Sequence, residues 1–267
     1  MYNDERAGVG THSLCYSKAG RKDGTLARPK SVPTPARGNQ KIEIFMNKSW
    51  FITGTDTEIG KTWCTLALIQ YFKNQGLRVA GMKPIAAGCH WSETGLKNSD
   101  AEQILATSGL AVPYDWVNPY AFEPPIAPHV AATQVGQIIE LSNIIHKYQQ
   151  LAAQADMVVV EGVGGWRVPI NATQSLKDMV LAMEAQVILV VGMRLGCINH
   201  ALLSAEVIRG DGCTLAGWIA NPIDPDFDGR ASIDTLQERL KVPLLAQMPY
   251  LAYLDILRLV KRIRTKS

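Results

Sequence analysis

The stretch WFITGTDTEIGKT, residues 50–62, joins three local patterns that together decide the fold. Its first four residues are apolar or β-branched, which is typical of a buried strand. A turn bounded by Gly54 and Gly60 follows, and a helix-length segment begins near Gly60. Backbone N–H groups in such a turn, together with the positive end of the helix, favour an anion. The order strand, glycine-rich turn, helix therefore predicts a phosphate-binding loop.

The composition of this loop indicates how a nucleotide would be held. Lys61 is placed to reach terminal phosphates, and Thr62 can offer its hydroxyl to Mg²⁺. Five residues separate the two glycines, one more than in the common form of the motif. The carboxylates of Asp56 and Glu58 would repel phosphate unless they organise the loop or lie near a cation. The alternative interpretation is a polar turn that caps an ordinary helix.

Beyond the loop, short apolar runs alternate with helix-length segments. The runs are WFIT, RVAGM, MVVVEG, VILVVG, LAGWIAN and VPLLAQM. The segments predicted to be helical include residues 61–75, 141–154, 199–209 and 233–240. This βαβ pattern predicts an α/β, P-loop NTPase-like fold with a mostly parallel sheet and helices on both faces. Ligands are then expected at the carboxyl ends of the strands.

Residues 1–45 differ in composition from the rest of the chain. The 267 residues carry a net charge of +3, and this segment alone holds eight Lys or Arg against four Asp or Glu. It lacks hydrophobic periodicity and the apolar core of a secretory signal, so we expect a disordered, dispensable extension. A transit peptide is the alternative, which the acidic residues disfavour. Residues 46–267 are predicted to form a single P-loop domain, and Met46 is a natural start for it.

Composition also restricts the class of protein. The longest apolar runs are far shorter than the roughly 20 residues that a membrane-spanning helix needs. The five cysteines form no C-x-x-C pair, so we expect reduced thiols in a cytoplasmic protein. The five histidines show no zinc-ligand spacing, which makes oxygen ligands the expectation for any metal. We expect no membrane or nucleic-acid partner.

Three further charged residues follow predicted strands or begin a predicted helix. Lys83 comes after RVAGM, Glu161 ends MVVVEG, and Asp100 lies in NSDA. Each has an ordinary explanation, as a solvated strand-end lysine, a strand terminus and a helix N-cap respectively. Because a strand-end acid near a phosphate-binding loop is commonly a magnesium ligand, Glu161 and Asp100 are also candidate metal ligands.

Seven motifs, in order, resemble the dethiobiotin synthetase family, the ATP-dependent ring-closing enzymes of biotin synthesis. They are GTDTEIGKT, GMKPIAAG, GLKNSDA, VNPYAF with PHVAA, VVEGVGGW, VILVVGMRLGCINHALL and LAGWIAN, and the resemblance as a whole runs from about residue 48 to residue 251. The resemblance implies a homodimer that uses ATP and Mg²⁺ to carboxylate 7,8-diaminononanoate with CO₂. A carbamate and a carbamic-phosphoric anhydride are the implied intermediates, and dethiobiotin, ADP and phosphate the products.

Matching motifs imply roles for particular residues. Catalytic roles are implied for Lys83, Lys61 and Thr57, and Mg²⁺ binding for Thr62, Asp100 and Glu161. The implied ATP contacts are Glu58, Ile59, Gly60, Lys61, Thr62, Asp100, Glu161, Gly162, Val163, Gly164, Asn221, Pro222, Pro249, Tyr250 and Leu251. The implied substrate contacts are Ala87, Gly196, Cys197 and Asn199. The last three begin a helix whose N-terminus suits the substrate carboxylate, at a site completed across the dimer interface.

Two positions depart from the family pattern. Ala87 stands where relatives often have serine, which puts a side-chain hydrogen bond to the substrate in doubt. Pro222 stands where some relatives have aspartate and lacks a backbone N–H, so the contact with the base would depend on Asn221.

A ParA- or MinD-like ATPase switch is the alternative from another functional class. The basic tail from Leu251 onward would then be a membrane-binding amphipathic helix, rather than a last helix packed on the core. Such switches carry an extra lysine inside the loop, and no lysine lies between Gly54 and Lys61.

Overall fold

The computed structural model describes residues 49–263. The predicted disordered extension over residues 1–45 lies outside these residues, so it stays a prediction, as does the boundary at residue 46. The described residues share one large hydrophobic core, in which the side chains of Trp50, Phe51 and Trp218 are fully buried.

A six-stranded sheet forms the centre of the fold. Its strands are β1 (Ser49–Gly54), β2 (Val79–Met82), β7 (Met157–Glu161), β8 (Gln186–Met193), β9 (Leu215–Pro222) and β10 (Leu244–Gln247). They lie in the order β10-β9-β8-β1-β7-β2, and every neighbouring pair is parallel. The phosphate-loop strand β1 is therefore in the interior of the sheet, beside β7, where Ile52 is in register with Glu161.

Helices cover both faces of this sheet. All residues of β1, β2 and β7 are buried, and since successive side chains point to opposite faces, neither face meets solvent there. The helices are α1 (Lys61–Asn74), α2 (Ser99–Ser108), α3 (Tyr114–Val117), α4 (Pro128–Gln134), α5 (Leu141–Ala152), α6 (Leu176–Ala182), α7 (Cys197–Gly210), α8 (Arg230–Leu240) and α9 (Ile256–Val260). The predicted α/β, P-loop NTPase-like class is confirmed.

Among residues 49–263, four short strands lie outside the central sheet. β3 (Ile85–Ala87) pairs in parallel with β6 (Tyr120–Phe122), and β4 (His90–Ser92) forms an antiparallel hairpin with β5 (Gly95–Lys97). All four follow β2 in the chain, and β3 begins three residues after β2 ends. The segment from Pro84 onward thus contributes to the side of the fold where ligands are expected.

Two helices begin earlier than the sequence indicated. α7 starts at Cys197 rather than at residue 199, because Gly196 takes the left-handed conformation (φ 92°) that ends the preceding turn. α8 starts at Arg230 rather than at residue 233. The sequence placed its start too late because the first turn is polar and shows no apolar periodicity.

The last described helix packs on the core. α9 contacts α1, and its Leu259 is buried, although Leu257 is exposed. Ile263 then bridges to Ala246 of β10. This arrangement favours the packed-helix interpretation of the tail over a membrane-binding one. Within residues 49–263, no helix is both long enough and apolar enough to cross a bilayer.

Candidate active site

A cavity of about 850 Å³ opens at the carboxyl ends of the parallel strands, beside the phosphate loop. Most residues that the sequence nominated line it: Thr57, Glu58, Gly60, Lys61, Thr62, Lys83, Ala87, Asp100, Glu161, Gly162, Val163, Gly164, Asn221, Pro222, Tyr250 and Leu251. They come from positions up to 194 residues apart in the chain, and the parallel sheet assembles them because its strand ends share one edge.

The loop itself is organised by Asp56. Its Oδ1 accepts a hydrogen bond from the Thr57 N–H at 2.8 Å, and its carbonyl accepts one from Lys61 Nζ at 2.6 Å. Arg194 Nη2, just after β8, lies 2.5 Å from Asp56 Oδ2. The acidic residue therefore shapes the loop and is partly neutralised by a cation, which are the two roles that the sequence suggested. Arg194 itself was not anticipated.

Lys61 lies at the first position of α1, largely buried beneath the loop. Burial lowers its pKa to about 8, with Lys83 acting in the same direction and Glu161 opposing. An amine in such a position gains more from a bound anion than a solvated amine does, because phosphate would replace the lost hydration. The lysine is thus suited to terminal phosphates.

Lys83 is not a solvated strand-end residue. Its side chain is only 9% exposed, and its Nζ lies 2.6 Å from Glu161 Oε1 and 2.8 Å from Asp100 Oδ2. Burial disfavours the charged amine, but the two carboxylates outweigh this and raise the pKa of Lys83 above its ordinary value. The two carboxylates therefore favour a positive charge on this amine at the end of β2, facing the cavity.

Asp100 is not the N-cap of its helix. Asn98 has that role in α2, since its side chain accepts a hydrogen bond from the Ala101 N–H. The Asp100 carboxylate is therefore left to bind Lys83 and to face the cavity.

The chemistry of this cluster fits a magnesium ion. Glu161 Oε1 accepts hydrogen bonds from Thr62 Oγ1 (2.8 Å) and Lys83 Nζ, whereas its buried Oε2 lacks a hydrogen-bond partner. Within residues 49–263 no group of three or more His, Cys, Asp or Glu side chains forms a metal cage. Mg²⁺ ordinarily takes one or two carboxylates and completes its shell with water and phosphate oxygens. Two carboxylates and the Thr62 hydroxyl meet that requirement.

This chain is similar to known proteins over most of its length. A family model described as an AAA domain matches residues 48–256. The ATP-dependent dethiobiotin synthetase BioD of Pseudomonas paraeruginosa is 48% identical over 206 residues, which are 76% of this chain and 90% of that protein. This chain belongs to the dethiobiotin synthetase family. The protein of the same name from Aromatoleum aromaticum is 44% identical, and the match covers 81% of this chain and 97% of that protein.

Among solved structures, the MinC:MinD cell division protein complex of Aquifex aeolicus is similar at 13% identity with a TM-score of 0.49. The match covers 77% of this chain and 82% of that chain. A likeness at this level carries no argument about function. The switch alternative gains nothing from it, whereas the predicted resemblance to the dethiobiotin synthetase family is confirmed.

Five nominated residues of this family member do not line the cavity. Ile59 is buried and packs beneath the loop near Gly54 and Gly192, and Pro249 precedes the lining residue Tyr250. Gly196, Cys197 and Asn199 lie at the start of α7 and do not line the cavity of this single chain. The nominated substrate contacts are therefore divided, with Ala87 in the cavity and the other three outside it.

Sequence reasoning missed several lining residues. They are Trp63, Asn98, Pro125, Ile126, Ala127, Pro128, Val168 and Ile223. Residues 125–127 directly precede the PHVAA motif, and Pro128 begins it. The motif therefore drew attention to this segment, but its residue types indicated no chemical role. Apolar and proline side chains identify no reaction by type, and only the fold shows that they form one wall of the cavity.

Proposed function

We infer that this chain is an ATP-dependent dethiobiotin synthetase. Relatives with this name match it along nearly their whole length, and the residues that phosphoryl transfer needs meet in one cavity. The structural observation that best supports this function is the buried Lys83, which Glu161 and Asp100 hold beside the phosphate loop. Transfer of a phosphoryl group depends on positioning and charge neutralisation more than on covalent help from the protein.

The proposed reaction begins when one amine of 7,8-diaminononanoate adds to CO₂ and loses a proton, giving a carbamate. A carbamate oxygen then attacks the γ-phosphorus of ATP, and the bond between that phosphorus and the bridging oxygen of ADP breaks. The second amine attacks the carbonyl carbon of the resulting anhydride and loses a proton. Phosphate leaves, and the cyclic urea of dethiobiotin remains.

The protein contributes charge and orientation to these steps. Lys61 and the N–H groups of residues 57–62 hold the phosphates, and Lys83 neutralises the carbamate and the migrating phosphoryl group. Thr62, Asp100 and Glu161 hold Mg²⁺, which when bound neutralises phosphate charge. Asn221 and the segment from Pro249 to Leu251 contact the adenine side of ATP, with Pro222 unable to donate a backbone hydrogen bond.

The assembly we propose is a homodimer in the cytoplasm. Leu195 comes just before α7 and is 88% exposed, and Leu203 lies on α7 and is 54% exposed. Both are close in the chain to Gly196, Cys197 and Asn199. A second subunit that covers this apolar surface would bring its own helix N-terminus towards the partner's cavity. The substrate carboxylate is then bound at that N-terminus, and the diamine end extends past Ala87.

Product analysis tests the proposed function. Purified protein is incubated with 7,8-diaminononanoate, carbon-13-labelled bicarbonate, ATP and Mg²⁺, and dethiobiotin is detected by mass spectrometry. Labelled dethiobiotin, formed together with ADP in equal amounts, is the expected result. ATP hydrolysis that needs no diamine and yields no labelled product would contradict it.

A further inference from the structure

Asn118, in the motif VNPYAF, contacts the main chain of Lys83 through its side chain. The residue is 4% exposed and follows α3. Its side-chain Nδ2 donates to the Lys83 carbonyl at 2.7 Å and to the Tyr120 carbonyl at 3.2 Å. The Lys83 N–H in turn donates to the carbonyl of Val117, at 2.9 Å. Both backbone groups of the candidate catalytic lysine are therefore bonded to the same short segment.

The orientation of the Asn118 amide is determined by its neighbours. Two carbonyl oxygens face one end of the amide, and the Tyr114 hydroxyl lies 3.0 Å from the other. Carbonyls only accept hydrogen bonds, so the NH₂ group must face them and Oδ1 must accept from Tyr114. Burial raises the pKa of Tyr114 to about 12, which keeps this hydroxyl protonated and able to donate.

The same hydroxyl connects this segment to the helix that carries Asp100. Tyr114 Oη accepts a hydrogen bond from the Asn98 N–H at 2.8 Å. Asn98 is itself buried and caps α2, accepting from Ala101 N–H through its side chain and from Glu102 N–H through its carbonyl. A continuous chain of hydrogen bonds thus runs from the Lys83 carbonyl to the first turn of α2.

We propose that Asn118, acting through Tyr114 and Asn98, is a positioning residue that fixes the separation between the Lys83 backbone and the helix bearing Asp100. This inference rests on the proposed function, because it assigns to Lys83 a role in phosphoryl transfer. A lysine side chain has four rotatable bonds, so its ammonium group is placed only as well as its backbone and its partners are held.

A small displacement is enough to matter. Misplacing a reacting group by about 1 Å can reduce a rate about 10²-fold, even when the altered residue never touches the substrate. Removing the hydrogen bonds of the Tyr114 hydroxyl should therefore reduce turnover. The phosphate loop, and hence ATP binding, should stay nearly unchanged.

Tyr114→Phe is the test, with Tyr148→Phe as its matched control. Each removes one hydroxyl from a half-buried tyrosine, but Tyr148 contacts Ser49 and the Met183 carbonyl, outside the cavity. Tyr114→Phe should lower kcat about tenfold or more with the Kd for a non-hydrolysable ATP analogue changed less than about twofold. Tyr148→Phe should leave both constants near those of the wild type.

A double-substitution cycle separates positioning from general damage. In a Lys83→Ala background, Tyr114→Phe should reduce the residual rate clearly less than it reduces the wild-type rate, because one of the two groups whose separation it fixes is gone. An equal loss in both backgrounds, or a Tyr114→Phe enzyme with wild-type kcat, would overturn the proposal. A wild-type enzyme that forms no dethiobiotin would instead overturn the proposed function.

Asn118→Asp provides a second, near-isosteric variant. It keeps an acceptor for Tyr114 but sets a carboxylate oxygen against the Lys83 and Tyr120 carbonyls, so turnover should fall further than in Tyr114→Phe. Melting temperature identifies a variant that fails to fold. If Asn118→Asp folds and retains wild-type kcat, the proposal is wrong; if it unfolds, the Tyr114 cycle decides alone.

Discussion

Gly60 and Asn221, 161 positions apart, meet at the end of the phosphate loop. A β-carbon added at Gly60 would clash with Nδ2 of Asn221, which donates a hydrogen bond to the Ile59 carbonyl at 2.8 Å. Gly60 also has φ 83°, a conformation that L side chains rarely adopt. The residue at this position is therefore restricted to glycine by its own backbone and by a side chain from β9.

Gly60→Ala should destabilise the fold by about 2 kcal/mol and weaken ATP binding, because it adds left-handed strain and displaces the Asn221 amide. In an Asn221→Ala background the clash is absent, so the same substitution should cost only the strain, about 1 kcal/mol. Urea unfolding of the wild type, the two single variants and the double variant measures both costs. Equal costs in the two backgrounds would show that Asn221 does not restrict this position.

Substitutions of Lys61 and Lys83 should differ in their effects on ATP binding and on turnover. Lys61→Ala should weaken the binding of a non-hydrolysable ATP analogue and reduce turnover together, since its amine meets phosphates already in the ground state. Lys83→Ala should keep that binding within a few-fold and lower turnover about 10²- to 10³-fold, the usual loss of one contact made in the transition state. Titration calorimetry beside steady-state rates measures both. Near-normal turnover in Lys83→Ala would contradict the mechanism.

Asp100→Asn should raise the Mg²⁺ concentration needed for half-maximal activity about tenfold or more, because it removes one of two candidate carboxylate ligands. Glu102→Gln is the matched control. It removes one negative charge from the same helix turn, but its partner is the exposed His90 and it does not line the cavity. A similar shift in both variants would indicate a general effect of charge rather than a metal ligand.

Arg194→Gln should raise the KM for ATP a few-fold, and less at high salt. The pair with Asp56 orders the phosphate loop, but both side chains are more than 40% exposed, so the pair contributes only about 0.5 kcal/mol. Arg230→Gln, which breaks a more exposed pair with Asp228, should leave the KM unchanged. An Arg194→Gln enzyme with wild-type KM at every salt concentration would show that the loop does not need this cation.

Leu203→Arg should give a monomer with greatly reduced activity, because a charge would be buried in the proposed interface on α7. Leu257→Arg is the control, since it changes an exposed leucine of a different helix, α9. Sedimentation velocity and product formation are measured on both proteins. A fully active Leu203→Arg monomer would contradict a substrate site shared between subunits.

Local patterns in the chain determined the six strands of the central sheet, the helices α1, α5, α7 and α8, and the order of these elements. The apolar run in β8, the glycines around Gly60 and the lysine–threonine pair that starts α1 each act within a few residues, so they can be interpreted without a fold. Spacing along the chain therefore predicted the phosphate loop and the parallel sheet, whereas most of the cavity wall was implied by the resemblance to the dethiobiotin synthetase family.

Only the tertiary structure decided which polar groups are partners. Lys83 resembles a solvated strand end until the sheet brings Glu161, 78 residues further along the chain, to its ammonium group. Asp100 resembles an N-cap until the fold pairs it with the same lysine, 17 residues earlier in the chain. Arg194 on Asp56 and Asn118 on the Lys83 backbone were likewise invisible in the sequence. The physical reason is that a charge or amide has no periodic signal of its own, and its energy depends on burial and on a partner chosen by the fold.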